Sequence, residues 1–304
     1  MDTPRPTLVL PTREGVSPSC VVLPSQGQGS LLDFLAQRLS AVSRDAWQAR
    51  MQAGEVVDER GEAVTATRPF EPGLRVYYYR SLPSEPHIPF EETVVYRDEH
   101  LLVADKPHFM PVTPSGRYVQ QSLLVQLKRL TGCADLVPLH RIDRETAGLV
   151  LLGKRLQDRD AYHALFREHQ IHKTYHAVAP LLEGLALPRV HTSRLAEDPV
   201  HFFKMREVPG ETNSETRIAL MRSEGARALY QLEPVSGKRH QLRVHMMGMG
   251  IPIEGDQFYP QVLRGPHAPE DFGQPLQLLA HSVEFTDPLT GLAHQFTTRQ
   301  ELLL

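Results

Sequence analysis

The spacing of apolar and polar positions changes several times along the chain, and the changes divide it. Residues 1–27 hold many Pro, Ser and Gly and keep no period, which predicts a loosely ordered lead-in, with Cys20, Val21, Val22 and Leu23 laid on a sheet edge. Over 31–39 the apolar residues at 31, 32, 35 and 39 follow helical spacing. A second helix opens at Ser43, a good N-cap, and closes before Gly54. Strands are expected at 55–57 and 74–80, with a turn at 58–61. Prolines at 83, 86 and 89 then break any regular element and mark 81–89 as a linker. Beyond Phe90, runs at 93–96 and 101–104 around the polar turn 97–100 read as a hairpin. Residues 121–130 and 156–169 carry helical stripes. Strands are expected at 172–179, 216–221, 226–232, 277–285 and 294–298. Many strands, few helices and several hairpin turns predict an α+β fold: a mixed, mainly antiparallel sheet over 90–304, behind a small α/β module at 28–80.

Composition narrows the function classes. The chain has 304 residues, 41% of them hydrophobic, enough for a large core and a small one. A net charge of −3 excludes a uniformly basic coat, so nucleic acid would have to meet a local patch. Cys20 and Cys133 stand in no metal-ligand spacing, and a reducing cytoplasm is the simplest setting. The N-terminus has no basic-then-apolar leader, and no apolar run nears the roughly 20 residues of a membrane span. Neither a Gly-x-Gly-x-x-Gly nor a phosphate-loop pattern occurs, which argues against a nucleotide cofactor. His163, His169, His172 and His176 crowd one region, yet there is no His-Glu-x-x-His, and the helix-to-strand break near Gln170 spoils a common face for a metal.

Residues 139–152 hold the candidate chemistry. Asp143 lies on a polar turn that leads through Gly148 into an apolar strand. A carboxylate fixed there suits a nucleophile or a base; it equally suits an Asx-type turn that only bonds nearby backbone. His140-Arg141-Ile142-Asp143-Arg144-Glu145-Thr146-Ala147-Gly148-Leu149 resembles H-R-L-D-x-x-T-S-G-L, the signature of the RluA-type pseudouridine synthases, with Ile142 for Leu and Ala147 for Ser. More runs follow in that family's order. Residues 98–107 resemble the opening of its domain, and Lys173-Thr174-Tyr175 its K-x-Y strand. Residues 237–245 resemble G-R-x-H-Q-x-R-V-H, with Lys238 keeping the charge of an arginine but not its bidentate fork. Pro252 to Asp256 with Tyr259, and Leu279-Ala280-His281 with Phe285 and Pro288, complete the set, so the resemblance spans roughly 90–300. The 28–80 module, with Pro72-Gly73 before its last strand, resembles an S4-type RNA-binding module, the alternative being a small packing domain.

The resemblance implies a cofactor-free, metal-free isomerase acting as a monomer on ribosomal or transfer RNA. It breaks the glycosidic bond of a flipped uridine, turns the base and rejoins it through carbon. It makes Asp143 the nucleophile, attacking either the sugar C1′ or the uracil ring, and Arg243 its ion-pair partner. Tyr175 would stack on the uracil and take part in removing the C5 proton, and Arg141 would fill the gap left by the flipped base. His140, Arg144, Lys173, Lys238, Arg239, His240 and Gln241 would contact RNA, with Lys128, Arg129, Lys154 and Arg155 extending a basic rim. Read without the family, Tyr175 could be a core aromatic, Arg243 a solvated position, and 238–240 an ordinary turn. Two other functions compete: a non-catalytic RNA-binding or assembly factor, which would not need Asp143, Tyr175 and Arg243 together, and a metal-dependent hydrolase, which would carry zinc.

Overall fold

Two serines start the helices of the N-terminal region. In the computed structural model, which describes residues 10–82, 84–265 and 268–304, Ser30 caps α1 (Leu31–Arg38) by accepting from Asp33 N, and Ser43 caps α2 (Arg44–Gln52) by accepting from Ala46 N. Each such cap contributes about 1 kcal/mol. Both helices pack on a three-stranded antiparallel sheet of β1 (Ser19–Val22), β2 (Val56–Asp58) and β3 (Arg75–Tyr78), in the order β1-β3-β2. Leu31, Leu35, Trp47, Val56 and Val76 are fully buried between them. Asp58 pins the following turn by accepting from Arg60 N, Glu62 N and the Arg68 guanidinium. The region expected to be a loose lead-in therefore supplies an edge strand at 19–22, while residues 1–9 of it lie outside the described residues.

The same compact unit also takes residues 116–120 and 125–134. Val119 and Val125 join Val16 in a small core of their own. Sequence spacing showed the apolar stripe of 121–130 but not which core it serves, so a single boundary at 81–89 does not describe the division.

The second unit holds residues 86–115, 121–124 and 135–304. Its hairpin is β4 (Thr93–Arg97) and β5 (Leu101–Lys106); α3 (Leu123–Thr131) starts in this unit but from Val125 on belongs to the first, and β6 (Val137–Pro138) and β7 (Ala147–Gly153) follow. Next come α4 (Arg159–Arg167), β8 (His172–Pro180), β9 (Arg189–Glu197), β10 (Met205–Val208), β11 (Ser214–Glu224) and β12 (Arg227–Pro234). The chain closes with α5 (Gln241–Gly248), β13 (Leu278–Thr286) and β14 (Ala293–Thr297). The sheet runs β10-β9-β11-β12-β8-β13-β7-β5-β4, with β14 beside β13 and β6 beside β7. Among the described residues the pairing is antiparallel except between β13 and β7, where Leu279 and Ala280 meet Ala147 and Gly148 in parallel. Gly148 has φ +108°, and a Cβ there would lie 2.2 Å from the Ala280 carbonyl oxygen. Only glycine lets β13 come this close beside the Asp143 turn.

Strands β9 and β10 and helix α5 were not expected. β9 is mostly exposed and polar, so it lacks the alternation that marks a half-buried strand. In α5, six consecutive residues from Gln241 to Met246 are buried, and a helix covered all round shows no apolar stripe to read. No helix among the described residues is long and apolar enough to cross a membrane.

Candidate active site

The Asp143 turn between β6 and β7 is tied down from three directions. Thr146 N donates to the Asp143 carbonyl at 3.2 Å and Leu139 N to the Leu151 carbonyl at 2.8 Å. Leu151 N donates to His140 Nε2 at 3.1 Å, which requires a neutral ring with its hydrogen on Nδ1. Burial, helped by the charge of Lys173, lowers His140 to a pKa of about 3 and keeps it in that form. From the third side, the fully buried Lys106 Nζ donates to the carbonyls of Pro107, Met110 and Arg144 at 2.9, 2.7 and 3.1 Å. Burial pulls Lys106 down to about 7, against the charges of Glu145 and Asp143. Three carbonyls need three N–H hydrogens, which only the ammonium form has, so the hydrogen bonds favour the charged state.

Helix α5 brings the counter-charge. Arg243, with 1% of its side chain exposed, donates Nη1 to Asp143 Oδ2 at 3.1 Å. Its Nε and Nη2 donate to the two oxygens of Asp256 at 2.7 Å each. Asp256 is fixed in turn, because its Oδ1 also accepts from Phe258 N and Tyr259 N at 2.9 and 3.1 Å. This bidentate grip fixes the guanidinium plane and aims the remaining nitrogen at Asp143. Burial opposes the charge of Arg243, but Asp256 and then Asp143 more than offset it and raise its pKa further.

Burial likewise works against an ionised Asp143, yet the charges of His240, Arg243 and Lys106 hold it below the usual carboxylate range. His240 is itself depressed by burial, so at neutral pH the standing counter-charges are those of Arg243 and, more weakly, Lys106. His240 caps α5 in the left-handed conformation, φ +54°, and its Nδ1 lies 2.9 Å from the Tyr259 hydroxyl. That hydroxyl already accepts from Met205 N. With its hydrogen turned to Nδ1, His240 Nε2 carries the N–H that faces Asp143 Oδ1 at 3.9 Å.

Asp143 and Arg243 open onto a cavity of about 880 Å3, also lined by Arg141, Lys173, Tyr175, Lys238 and Arg239. Tyr175 reaches it from β8, and burial followed by the charge of Asp143 pushes its phenol up. Lys173, two residues earlier on the same strand, is pulled down by burial. Arg141, Lys238 and Arg239 are exposed at the cavity.

Three of the residues expected at an RNA surface are differently employed. Gln241 is 4% exposed, and its amide is used up on Ser236 Oγ, Lys238 N, the Glu215 carbonyl and Thr216 Oγ1. Arg144 is held by Glu145 at 2.7 Å and Glu270 at 2.6 Å. His140 lines the cavity, but its Nε2 is spent on β7. In each case the polar side chain satisfies buried backbone or a buried charge, a need that the local sequence does not display.

A family model for RNA pseudouridylate synthase matches residues 100–247. An uncharacterized RNA pseudouridine synthase of Synechocystis is 31% identical over 233 residues, covering 75% of this chain and 79% of that protein. The chain belongs to the RluA-type RNA pseudouridine synthase family. Within that family it is similar to the dual-specificity RNA pseudouridine synthase RluA of Vibrio cholerae, at 32% identity over 64% of this chain and 77% of the relative. It is also similar to tRNA pseudouridine synthase C of Yersinia pestis, at 31% identity over 68% and 85%. The synthase fold is shared with human RNA pseudouridylate synthase domain containing 1, with a TM-score of 0.57 at 19% identity over 71% of this chain and 86% of that one.

Reading the sequence missed the parts of this synthase site that act through other residues. Asp256, Tyr259 and Lys106 stand in the sequence only within family-like runs, with no role of their own. Their signal is an acid, a phenol or a lysine between apolar neighbours, as in Pro252-Ile253-Glu254-Gly255-Asp256 and Val103-Ala104-Asp105-Lys106-Pro107. Away from the cavity, His191, Glu207 and His245 bring metal-ligand atoms within 4.8 Å of one another. Hydroxyls account for His245, however: Thr216 Oγ1 lies 2.9 Å from Nδ1, and Ser214 and Ser193 Oγ lie 3.0 and 3.1 Å from Nε2.

Proposed function

We propose that the chain isomerises uridine to pseudouridine in ribosomal or transfer RNA, with Asp143 as the nucleophile. The observation that carries the reading is convergence: Asp143, Arg243 and Tyr175 come from a turn, a helix and a strand to one cavity. Relatives named for tRNA, for the large ribosomal subunit and for dual specificity support both RNA classes. The cavity suits a nucleotide drawn out of its stack. In this reading the ionised Asp143 bonds to the sugar C1′ or to the uracil ring, the N1–C1′ bond breaks and the base turns, and the C5–C1′ bond forms as Asp143 is released, C5 losing a proton and N1 gaining one. Arg243 keeps Asp143 anionic. Tyr175 stacks on the uracil, and its upward-shifted phenol stays protonated at neutral pH, which suits a neutral relay for the C5 proton more than a phenolate base. Arg141 takes the place of the flipped base in the RNA. Lys173, Lys238 and Arg239 meet phosphates. No cofactor enters the reaction.

The test is tritium release from RNA labelled at uracil C5, taken from cells lacking the protein. Wild type is expected to release tritium and Asp143→Asn none, with RNA binding kept. Turnover by Asp143→Asn would remove Asp143 from this role, and no release by wild type from any RNA fraction would remove the activity.

The N-terminal unit is assigned in the same reading to S4-type RNA contact, supported by its two capped helices and the exposed Arg38 and Arg44. Arg38→Glu with Arg44→Glu should weaken RNA binding, and an unchanged affinity leaves this unit a packing domain. The protein is taken to work as a cytoplasmic monomer, which sedimentation and cell fractionation check.

A further inference from the structure

The loop from β9 to β10 carries Phe202, 81% exposed. One exposed apolar residue means little by itself. Three observations set this one apart.

The loop is cross-tied. Asp198 Oδ1 accepts from Val200 N and His201 N at 2.9 and 2.8 Å. Lys204 N donates to the His201 carbonyl, and Asp198 N to that of Lys204. Arg239 Nη2 donates to the carbonyls of Phe202 and Lys204 at 2.8 and 3.2 Å. A loop held this way keeps the ring at its tip presented to solvent, so a ligand need not pay to order it.

The ring also ends a row. Phe202 and Phe203 have centroids 5.6 Å apart, and Phe203 and Phe258 5.0 Å. Phe258 lies 5.2 Å from the guanidinium carbon of Arg243, the partner of Asp143. The row thus runs from the charge pair of the site out to the surface.

Finally, cations outnumber carboxylates around the tip. Arg239, which grips the backbone of Phe202, itself lines the cavity. Lys204 lies over the Tyr259 ring at 4.9 Å, and Arg206 is exposed on β10. Of the nearby carboxylates, Asp198 is turned to backbone amides and Glu197 stands 3.7 Å from Arg239. An exposed aromatic ring whose backbone is gripped by an arginine of the cavity wall has the chemistry of base stacking on unpaired RNA.

We propose that Phe202 is a stacking platform for an unpaired base flanking the uridine held in the cavity, with Arg239 meeting the phosphate between them. This subsite rests on the reading of the cavity as an RNA site. A protein partner would use the apolar area of the ring and not its π-face, and the choice of variants separates the two.

The experiment is fluorescence anisotropy of a fluorescein-labelled RNA stem-loop with a uridine-rich loop, with wild type and three variants of Phe202. Because the side chain is exposed, none of them should disturb folding. Phe202→Ala and Phe202→Leu should each weaken binding about 5- to 150-fold, the range of one lost base–aromatic stack. Phe202→Trp should bind about as wild type does, since it keeps a π-face. A 2-aminopurine placed in the loop should be quenched by wild type and not by Phe202→Ala. Wild-type affinity in Phe202→Leu, or in Phe202→Ala, overturns the proposal, and so does a wild type that leaves the stem-loop unbound. The failure of this subsite and that of the reaction are distinguishable. Tritium release by wild type can stand while Phe202→Ala binds normally, and an active Asp143→Asn leaves the anisotropy result untouched.

Discussion

Exchanging Asp256 for Asn asks how much of the site depends on the way Arg243 is gripped. Asp256 gives both oxygens to Arg243 at 2.7 Å and uses Oδ1 again for two backbone amides, all within a buried pocket. An Asn can keep the Oδ1 bonds, but its NH2 then faces the Arg243 Nε–H, donor against donor. One charge-assisted bond disappears, about 1.5–3 kcal/mol, and a buried donor is left unmet, about 1–3 kcal/mol. Removing one partner of a buried pair outright costs about 3–5 kcal/mol. Because Asp143 still faces Arg243, the lower end applies, and urea unfolding should show a loss of about 3 kcal/mol. The rate should fall further than the stability suggests. A guanidinium released on one side turns toward Asp143, and a displacement of about 1 Å at a reacting group can cost about 100-fold. Single-turnover tritium release under conditions where the variant is fully folded measures this. A variant that unfolds within about 0.5 kcal/mol of wild type and turns over at the same rate would refute both the grip and its function.

Gly148→Ala places a Cβ against the Ala280 carbonyl at a positive φ, and should cost at least about 3 kcal/mol. For a domain of this size that is a fall in Tm of about 6–12 °C, and an unchanged melt would show that β13 can move away. Gln241→Ala should lower Tm while leaving the salt dependence of RNA binding alone, because the amide faces inward; a changed salt slope returns Gln241 to the RNA surface. Lys238→Ala should do the reverse, reducing the slope of log K against log salt by about one with Tm unchanged. Asp143 is held below its ordinary pKa, so the stability from its pairing is complete above the unfolded value of about 3.9 and is lost as pH falls through the lower folded value. The acid limb of kcat should accordingly lie below about pH 4, and a midpoint above about pH 5 would show that Asp143 is not held as its surroundings indicate.

The sequence was informative where one residue answers to one environment. The stripe at 31–39, the N-cap at Ser43, the hairpin at 93–104 and the turn before β7 each follow from local spacing and reappear at almost the same residues. Spacing was silent where an element is covered on every side, as in α5, or on hardly any, as in β9, since neither gives a contrast of apolar and polar faces. The meeting of Asp143 with Arg243 entered through the resemblance to a family and not through spacing, because a pair 100 residues apart has no local signature. The supporting residues were harder still. Lys106, Asp256 and Gln241 look in the sequence like surface residues, and each owes its place to a partner supplied by another segment.

The parallel pairing of β13 with β7 has a consequence for synthesis. As the chain leaves the ribosome, the Asp143 turn, β7 and β8 emerge early, and β13, which fills the gap between β7 and β8, follows only after α5. Until it does, β8 holds an unpaired edge, and β7 lacks its partner at Ala147 and Gly148, with the Ala280 backbone not yet against the glycine. A nascent chain halted before β13 would offer the open border of β8 to its neighbours, a template for aggregation. The sheet behind the site therefore closes only once β13 has been translated, and a ribosome stalled short of that point yields a liability for chaperones.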